Sequence, residues 1–186
     1  MPEYSVADIR YIIRADDFHK MYGFARNLRE RVLLTLLWLT GARTSEILNL
    51  KKKDIQIEED RIRFSILTEK LPKGKFVVER RNLILKVGRE EYYIKDLEQY
   101  LSRLKDESKL FSFTRRTMVN IIHRISNAAL GITLCPYNFR HSRMTLLTEA
   151  GYRDEELMRF KGCRSLDGVR PYQHARKVEY DIEVSA

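Results

Sequence analysis

The alternation of hydrophobic and polar positions divides the chain into a buried helix and a β-sheet region. Hydrophobic residues cover nearly every side of RNLRERVLLTLLWLT (26–40), which predicts a core helix that ends at Gly41. The alternating segment DIQIEEDRIRFSIL (54–67) contains an acidic turn and predicts a β-hairpin. The segments FVVERRNLILK (76–86) and EYYI (91–94) predict one or two further short strands.

Hydrophobic periodicity and capping residues predict further helices on both sides of the sheet region. They are YSVADIRYIIRADDF (4–18) with Ser5 as N-cap, TSEILNL (44–50), KDLEQYLSRLK (95–105), TRRTMVNIIHRISNAAL (114–130) opened by Thr114, YNFRHSRMTLLTEA (137–150) preceded by Pro136, and RDEELMRF (153–160) ended by Gly162. A turn is predicted at LPKGK (71–75). Because no Pro-, Gly- or Ser-rich linker interrupts residues 1–186, we expect one domain of the α+β class, mostly helical with a small antiparallel β-sheet.

The charge balance favours a polyanionic partner. The 186 residues carry a formal net charge of +9, and each cation that meets a phosphate releases a condensed counterion. The longest apolar run, Val32 to Thr40, is shorter than the roughly 20 residues that span a bilayer, so no membrane association is expected. Cys135 and Cys163 form no zinc-binding spacing with the four scattered histidines, and we expect a reduced, cytoplasmic environment.

Three separated positions carry candidate chemistry. Arg43 lies at a turn between two predicted helices, and Glu46 follows three residues later, where its carboxylate could orient the guanidinium. Arg140 lies on a predicted helix with Tyr137 on the same face. Tyr172 lies among several cations in KGCRSLDGVRPYQHARK. Taken singly, an arginine is more often a surface cation and a tyrosine more often a packing residue, so the interpretation depends on their combination. A fourth group consists of lysines in the predicted β turn: Lys70, Lys73 and Lys75.

Four segments in register resemble the tyrosine recombinases, also called phage-type integrases. They are LTGARTSEILNLKKKDI (39–55), like the first arginine motif; ILTEKLPKGKFVV (66–78), where the family has its β-hairpin lysine; YNFRHSRMTLLTEAGY (137–152), like His-x-x-Arg-His followed by a helix; and FKGCRSLDGVRPYQH (160–174), like Leu-Gly-His with tyrosine nine residues later. Together they cover most of the chain.

The resemblance implies a covalent mechanism on double-stranded DNA. The phenol of Tyr172 would attack a backbone phosphate, forming a 3′-phosphotyrosine link and releasing a 5′-hydroxyl. Arg43 and Arg140 would bind the non-bridging oxygens as guanidinium forks. A lysine would protonate the leaving oxygen, with Lys70 as the first candidate and Lys73 as the second. The resemblance implies no cofactor: neither a metal ion nor ATP is required.

Two departures from the family pattern bear on the expected catalytic chemistry. Tyr137 stands where the family usually has histidine, and a phenol is a poor general base near neutral pH. Some archaeal plasmid and virus integrases are similar in carrying Tyr-x-x-Arg here. Cys163 stands where the family usually has histidine or tryptophan, and a thiol is a weak hydrogen-bond donor. Both residues are nevertheless expected in the catalytic site.

The domain organisation also departs from the family pattern. Members usually carry a separate helical core-binding domain ahead of the catalytic one, whereas here the first arginine motif comes at residue 43. We therefore expect a single catalytic domain over 1–186, either a fragment or a natural short form. The resemblance further implies a homo-oligomer on DNA, with exchange of the C-terminal tail QHARKVEYDIEVSA (173–186) between protomers. Two alternatives remain open: a non-catalytic DNA-binding relative, or type IB topoisomerase-like activity.

Overall fold

Seven α-helices and one three-stranded antiparallel sheet make up residues 10–68 and 79–175, the part of the chain that the computed structural model describes. The helices are α1 Ala15–Gly23, α2 Leu28–Thr40, α3 Thr44–Asn49, α4 Tyr92–Leu101, α5 Arg115–Leu130, α6 Pro136–Glu149 and α7 Asp154–Lys161. The strands are β1 Ile55–Ile57, β2 Arg61–Thr68 and β3 Glu79–Lys86, and short 3-10 helices span Lys52–Asp54, Leu166–Gly168 and Arg170–Ala175. No helix in this described part is long and apolar enough to cross a membrane.

Helix α2 lies in the hydrophobic core, as its pattern predicted. Val32, Leu34 and Leu37 are fully buried, and the helix packs against α1, α4 and α6. Gly41 ends α2 in the left-handed conformation with φ 53°. A Cβ at this position would lie 3.0 Å from Cβ of Arg143, so the close approach of α6 also favours glycine. The chain therefore turns sharply after α2 and starts α3 only a few residues later.

The sheet has the order β1-β2-β3, and both pairs are antiparallel. Phe64 in the middle strand pairs with Ile55 of β1 and Leu83 of β3, and all three side chains are buried. The predicted hairpin is thus confirmed, as is a third strand from Glu79 onward. The predicted turn at 71–75 and the start of the predicted strand at 76–78 lie outside the described residues.

The predicted strand at EYYI (91–94) is wrong, because helix α4 begins at Tyr92. Ile94, Leu97 and Leu101 recur at helical spacing, and all three are buried against the core. A segment of four residues, with two tyrosines and one isoleucine, fits either period, so it could not by itself separate helix from strand. Tertiary packing decides the outcome.

The predicted helix over 4–18 is confirmed for residues 15–18 and wrong for residues 10–14. Residues 10–14 are not helical, and α1 begins at Ala15. The backbone N–H of Ile13 donates to Oγ of Ser142 at 2.8 Å, which ties this segment to α6 in an extended form. The carboxylate of Asp17 accepts from the backbone N–H of Arg14 at 2.9 Å and opens the helix there. The proposed cap Ser5 lies outside the described residues.

The last three helices follow the sequence prediction closely. Thr114 caps α5, because its Oγ1 accepts from the backbone N–H of Thr117 at 3.2 Å. Pro136 is the first residue of α6, and Gly162 ends α7 in the left-handed conformation with φ 67°. Beyond Gly162 the chain folds back on α6 through the 3-10 helix that contains Tyr172.

The cap of α2 gives a test of the local energetics. Oδ1 of Asn27 accepts from the backbone N–H of Glu30 at 3.0 Å. We expect Asn27→Ala to lower the free energy of unfolding by about 1 kcal/mol, because that amide loses its acceptor. Urea denaturation of the full chain measures the change. Asn27→Ser keeps an acceptor and should lose much less, so equal losses in the two variants would contradict a capping role.

Candidate functional site

Arg43 is positioned by the turn between α2 and α3. It is the N-cap residue of α3 with extended backbone angles, φ −68° and ψ 154°. Its backbone N–H donates to Oε2 of Glu46 at 2.8 Å, and its Nη1 donates to Oε1 at 2.6 Å. The carboxylate therefore fixes both the main chain and the guanidinium of Arg43.

Arg140 lies on α6, and its side chain is almost fully buried, with 6% exposure. Its Nη1 donates to the carbonyl of Gly41 at 2.8 Å, and its Nη2 donates to the carbonyl of Lys161 at 2.7 Å. Burial, followed by the charges of Arg43 and Arg81, lowers the pKa of Arg140 to about 10. The guanidinium thus remains charged at neutral pH and joins the end of α2 to the end of α7.

Arg43 and Arg140 face one cavity of about 230 Å³, which we call the arginine cavity. Its other lining residues are Ala42, Thr44, Ser45, Arg115, Pro136 and Tyr137. Tyr137 is 51% exposed and lies at the first turn of α6. Guanidinium groups that converge on an open cavity suit an anion with several oxygens, such as a phosphate.

Arg81 is a third guanidinium that sequence reasoning missed. Its Nη1 and Nη2 donate to the two carboxylate oxygens of Glu46 at 3.0 and 2.9 Å, and Nη1 also donates to the carbonyl of Lys161 at 3.1 Å. Burial raises the pKa of Glu46, but the charges of Arg81 and Arg43 outweigh it, and the pKa ends below its ordinary value. Arg81 shares the inward register of β3 with Leu83, and a charge in that register is the signal that could have identified it.

Tyr172 lies next to these groups but is covered by protein, with 1% exposure. Its ring packs with Met144, Leu157 and Val169, which together with Tyr172 form the small hydrophobic cluster. Burial first, and the neighbouring Tyr137 second, raise the pKa of its phenol, while the charge of Arg140 opposes them. The hydroxyl of Tyr172 is therefore protonated and enclosed in this conformation.

Cys163 lies beside Arg81 and does not line the arginine cavity. It lines a larger cavity of about 830 Å³, the cysteine cavity, together with Arg81, Gly162 and Gly168. A Cβ on Gly168 would lie 2.7 Å from Sγ of Cys163, so the 3-10 turn presses closely on the thiol. Both cysteines are partly exposed and unpaired, rather than fully buried as simple packing residues would be.

The candidate lysines Lys70, Lys73 and Lys75 lie outside the described residues. The strand ends that flank this segment, Thr68 and Glu79, both line the cysteine cavity. Within residues 10–68 and 79–175, no three His, Cys, Asp or Glu side chains gather where they could hold a metal ion.

The fold brings Arg43, at the end of the core helix α2, and Arg140, on α6, to one cavity, and comparison with known families shows which family has this arrangement. The family model described as "Phage integrase family" matches residues 12–179, so the chain belongs to this family. The resemblance read from the four motifs is thereby confirmed.

Curated relatives of the chain are tyrosine recombinases. Tyrosine recombinase XerA of Pyrococcus horikoshii is 26% identical over 158 residues, which is 84% of this chain and 54% of the relative. XerA of Saccharolobus solfataricus is 24% identical over 155 residues, covering 83% of this chain and 49% of the relative. The chain thus spans about half the length of the curated relatives it matches.

Solved structures of the same family share the fold. A crystal structure of XerA recombinase covers 94% of this chain and 62% of its own, with TM-score 0.69 and 20% identity. XerH recombinase in a post-cleavage complex with a palindromic difH substrate covers 91% and 51%, with TM-score 0.71 and 22% identity. The catalytic domain of bacteriophage HP1 integrase covers 92% and 89%, with TM-score 0.56 and 17% identity. These likenesses confirm the expected α+β fold class.

Proposed function

We propose that the chain is the catalytic unit of a site-specific recombinase or integrase that cleaves and rejoins double-stranded DNA. The observation that carries this proposal is the convergence of Arg43 and Arg140 on the arginine cavity within a phage integrase fold. Residues nearly 100 positions apart meet there in a geometry suited to one phosphodiester. The formal net charge of +9 supports a nucleic-acid partner.

In the proposed reaction, the arginine cavity holds the scissile phosphate and Tyr172 attacks it. The phenolic proton passes to water and the bond between Oη and phosphorus forms, while the bond from phosphorus to the 5′ oxygen breaks, which leaves a 3′-phosphotyrosine. Arg43 and Arg140 oppose the charge that grows on the non-bridging oxygens. A lysine of the 69–78 segment, Lys70 or Lys73, gives a proton to the departing 5′ oxygen. Rejoining reverses these steps. It needs no ATP, because the phosphotyrosine link conserves the energy of the phosphoester bond.

Attack requires Tyr172 to leave its covered position. Its side chain is 1% exposed and packed in the small hydrophobic cluster, so DNA cannot reach the hydroxyl in this conformation. The ring is held by a six-residue 3-10 helix that follows a glycine-containing turn. We propose that DNA binding draws this short helix toward the arginine cavity while α6 stays in place.

The two unusual residues take supporting roles in this proposal. Tyr137 lines the arginine cavity and can donate its hydroxyl to a phosphate oxygen. Cys163 lies outside the arginine cavity, beside Arg81, where its thiol can contribute only a weak hydrogen bond. Arg81 holds Glu46 and thereby Arg43, so we assign it a positioning role.

The proposed partners follow from the same chemistry. The substrate is double-stranded DNA. The active form is a homo-oligomer assembled on it, because recombination requires cleavage at two sites. Relatives of this fold have been solved on DNA, among them a lambda integrase dimer bound to a COC′ core site. Because two free cysteines suit a reducing compartment, we propose that the protein acts in the cytoplasm.

A covalent trapping experiment tests the proposed function. Duplexes of random sequence are incubated with the full chain. Each duplex carries a nick close to the cleavage position, because cleavage then releases a short fragment and its loss prevents rejoining. We expect a covalent protein–DNA adduct whose recovered sequences share one site, and we expect Tyr172→Phe to reduce the adduct to background. Tyr180→Phe is the matched control and should retain it. Equal adduct from wild type and Tyr172→Phe would sink the proposal.

A non-catalytic DNA-binding relative is the second candidate. It is favoured by the burial of Tyr172 and by the position of Cys163 outside the arginine cavity. The same experiment separates the two. Salt-dependent DNA binding without adduct at any pH or with any duplex would support this second candidate.

A further inference from the structure

Lys161 departs from the family pattern at a position next to the nucleophile. The segment Lys161-Gly162-Cys163 aligns with Leu-Gly-His, so a lysine replaces the expected leucine. A leucine at the end of α7 would need no polar partner, whereas an ammonium group does. The main chain and the side chain of Lys161 both contact residues of the candidate site.

The backbone of Lys161 contacts the arginine cluster, which we define as Arg43, Arg81 and Arg140. Its carbonyl accepts from Nη2 of Arg140 at 2.7 Å and from Nη1 of Arg81 at 3.1 Å. The end of α7 is therefore fixed against two guanidinium groups. Because Arg140 lines the arginine cavity, the end of α7 lies beside the place toward which the nucleophile would move.

The side chain of Lys161 reaches toward the nucleophile. Its Nζ lies 3.5 Å from Oη of Tyr172 and 4.7 Å from the ring centroid. Nζ also donates a hydrogen bond to the carbonyl of Gly168, in the turn that leads to the 3-10 helix. The ammonium is thus held near the phenol from the side of α7 and is partly buried, where solvent screens its charge less than at the surface.

We propose that Lys161 promotes ionisation of the Tyr172 hydroxyl and so sets the pH dependence of strand cleavage. This inference rests on the proposed function. A cation at this distance stabilises a phenolate over a phenol and lowers its pKa, which opposes the effect of burial. In the attack, the phenolic proton passes to water, Oη bonds to phosphorus, the 5′ oxygen departs with a proton, and Lys161 stays an ammonium throughout.

Other charged or titratable groups face Tyr172 from neighbouring elements, and none takes the place of Lys161. They are Tyr137, Arg140 and His141 on α6 and Cys163 after α7, while His174, on the same 3-10 helix as Tyr172, acts on His141. Burial, followed by the charges of His174 and Lys161, lowers the pKa of His141, so this imidazole is mainly neutral at pH 7. Arg140 lowers the phenol pKa as well, but a phosphate bound in the arginine cavity would offset its charge.

The first measurement needs no DNA. Tyr172 is replaced by a fluorinated tyrosine, whose more acidic phenol can be titrated by ¹⁹F NMR while the protein stays folded. We expect Lys161→Leu to raise the pKa of this phenol by about one unit. Lys161→Arg keeps the charge and should leave the pKa near that of wild type. Lys95→Leu removes an exposed positive charge on α4 and should have no effect. Equal pKa values in wild type and Lys161→Leu would overturn the inference.

The second measurement uses adduct formation on nicked DNA across a range of pH. Lys161→Leu should cleave about 10-fold more slowly near neutral pH and regain its rate as pH rises, because each pKa unit is a tenfold change in phenolate. The fluorinated tyrosine should rescue Lys161→Leu more than it accelerates wild type. Adduct formation with the same pH profile in both proteins would overturn the inference and leave the proposed function standing. No adduct from any variant would instead overturn the proposed function and, with it, the catalytic role of Lys161.

Discussion

Arg140→Lys should lower the rate of adduct formation by at least about 100-fold and the free energy of unfolding by about 2 kcal/mol. A lysine keeps the charge but has one ammonium, which cannot reach the carbonyls of both Gly41 and Lys161. One of the two carbonyls loses its hydrogen bond from residue 140, and the fork that would hold two phosphate oxygens is lost. Single-turnover trapping on nicked DNA measures the first effect, and urea denaturation measures the second.

Arg124→Lys is the matched control for this prediction. Arg124 lies on α5 and pairs with Glu30 at 2.6 Å, so the same chemical change is made outside the arginine cavity. We expect normal adduct formation and a loss of stability below about 1 kcal/mol. If Arg140→Lys formed adduct as fast as Arg124→Lys, a phosphate-binding role for Arg140 would be untenable.

The parts of the fold that could be predicted are those whose sequence signal is local. The core position of α2 followed from its hydrophobic surface, and its end followed from Gly41 in the left-handed conformation. The caps at Thr114 and Gly162 lie where the pattern placed them. The prediction of EYYI as a strand failed because four residues do not resolve the period, and contacts of Ile94 with distant helices decide it.

The site could be predicted only where a motif carried it. The four motifs, in their order, indicated the family, and the family resemblance implied that Arg43 and Arg140 bind one phosphate. The structure brings both residues to one cavity. Nothing local in the sequence indicated that Arg81 would bind Glu46, since the two residues lie 35 positions apart. The burial of Tyr172 was equally hidden, because it depends on the turn after α7 and on the face of α6.

One carboxylate and one carbonyl organise the arginine cluster. Glu46 bridges Arg43 and Arg81, and the carbonyl of Lys161 bridges Arg81 and Arg140. Three guanidinium charges face one carboxylate, so the cluster keeps an excess of positive charge. Like charges so close together destabilise the protein without an anion, and a bound phosphodiester relieves that repulsion. On the proposed function, this arrangement would be in place before the phosphodiester binds.

Glu46→Gln should destabilise the protein by about 3–5 kcal/mol at pH 7, because it leaves the buried Arg81 without its counter-charge. Glu46 is 1% exposed and Arg81 is 8% exposed, so water cannot replace the lost carboxylate. Urea denaturation between pH 7 and pH 3 measures the effect. Glu98→Gln is the control, since Glu98 pairs with Arg89 at the surface, and its loss should stay below about 1 kcal/mol.

The loss of stability caused by Glu46→Gln should also depend on pH in one direction. The folded-state pKa of Glu46 lies below its ordinary value because Arg81 and Arg43 outweigh the effect of burial. Its ionised form therefore stabilises the fold fully above the ordinary value of about 4.3, and this contribution is lost as pH falls through the folded pKa. The stability difference between wild type and Glu46→Gln should be largest at neutral pH and shrink on acidification below about pH 4. A difference that stayed constant down to pH 3 would show that Glu46 is not held ionised by the arginine cluster.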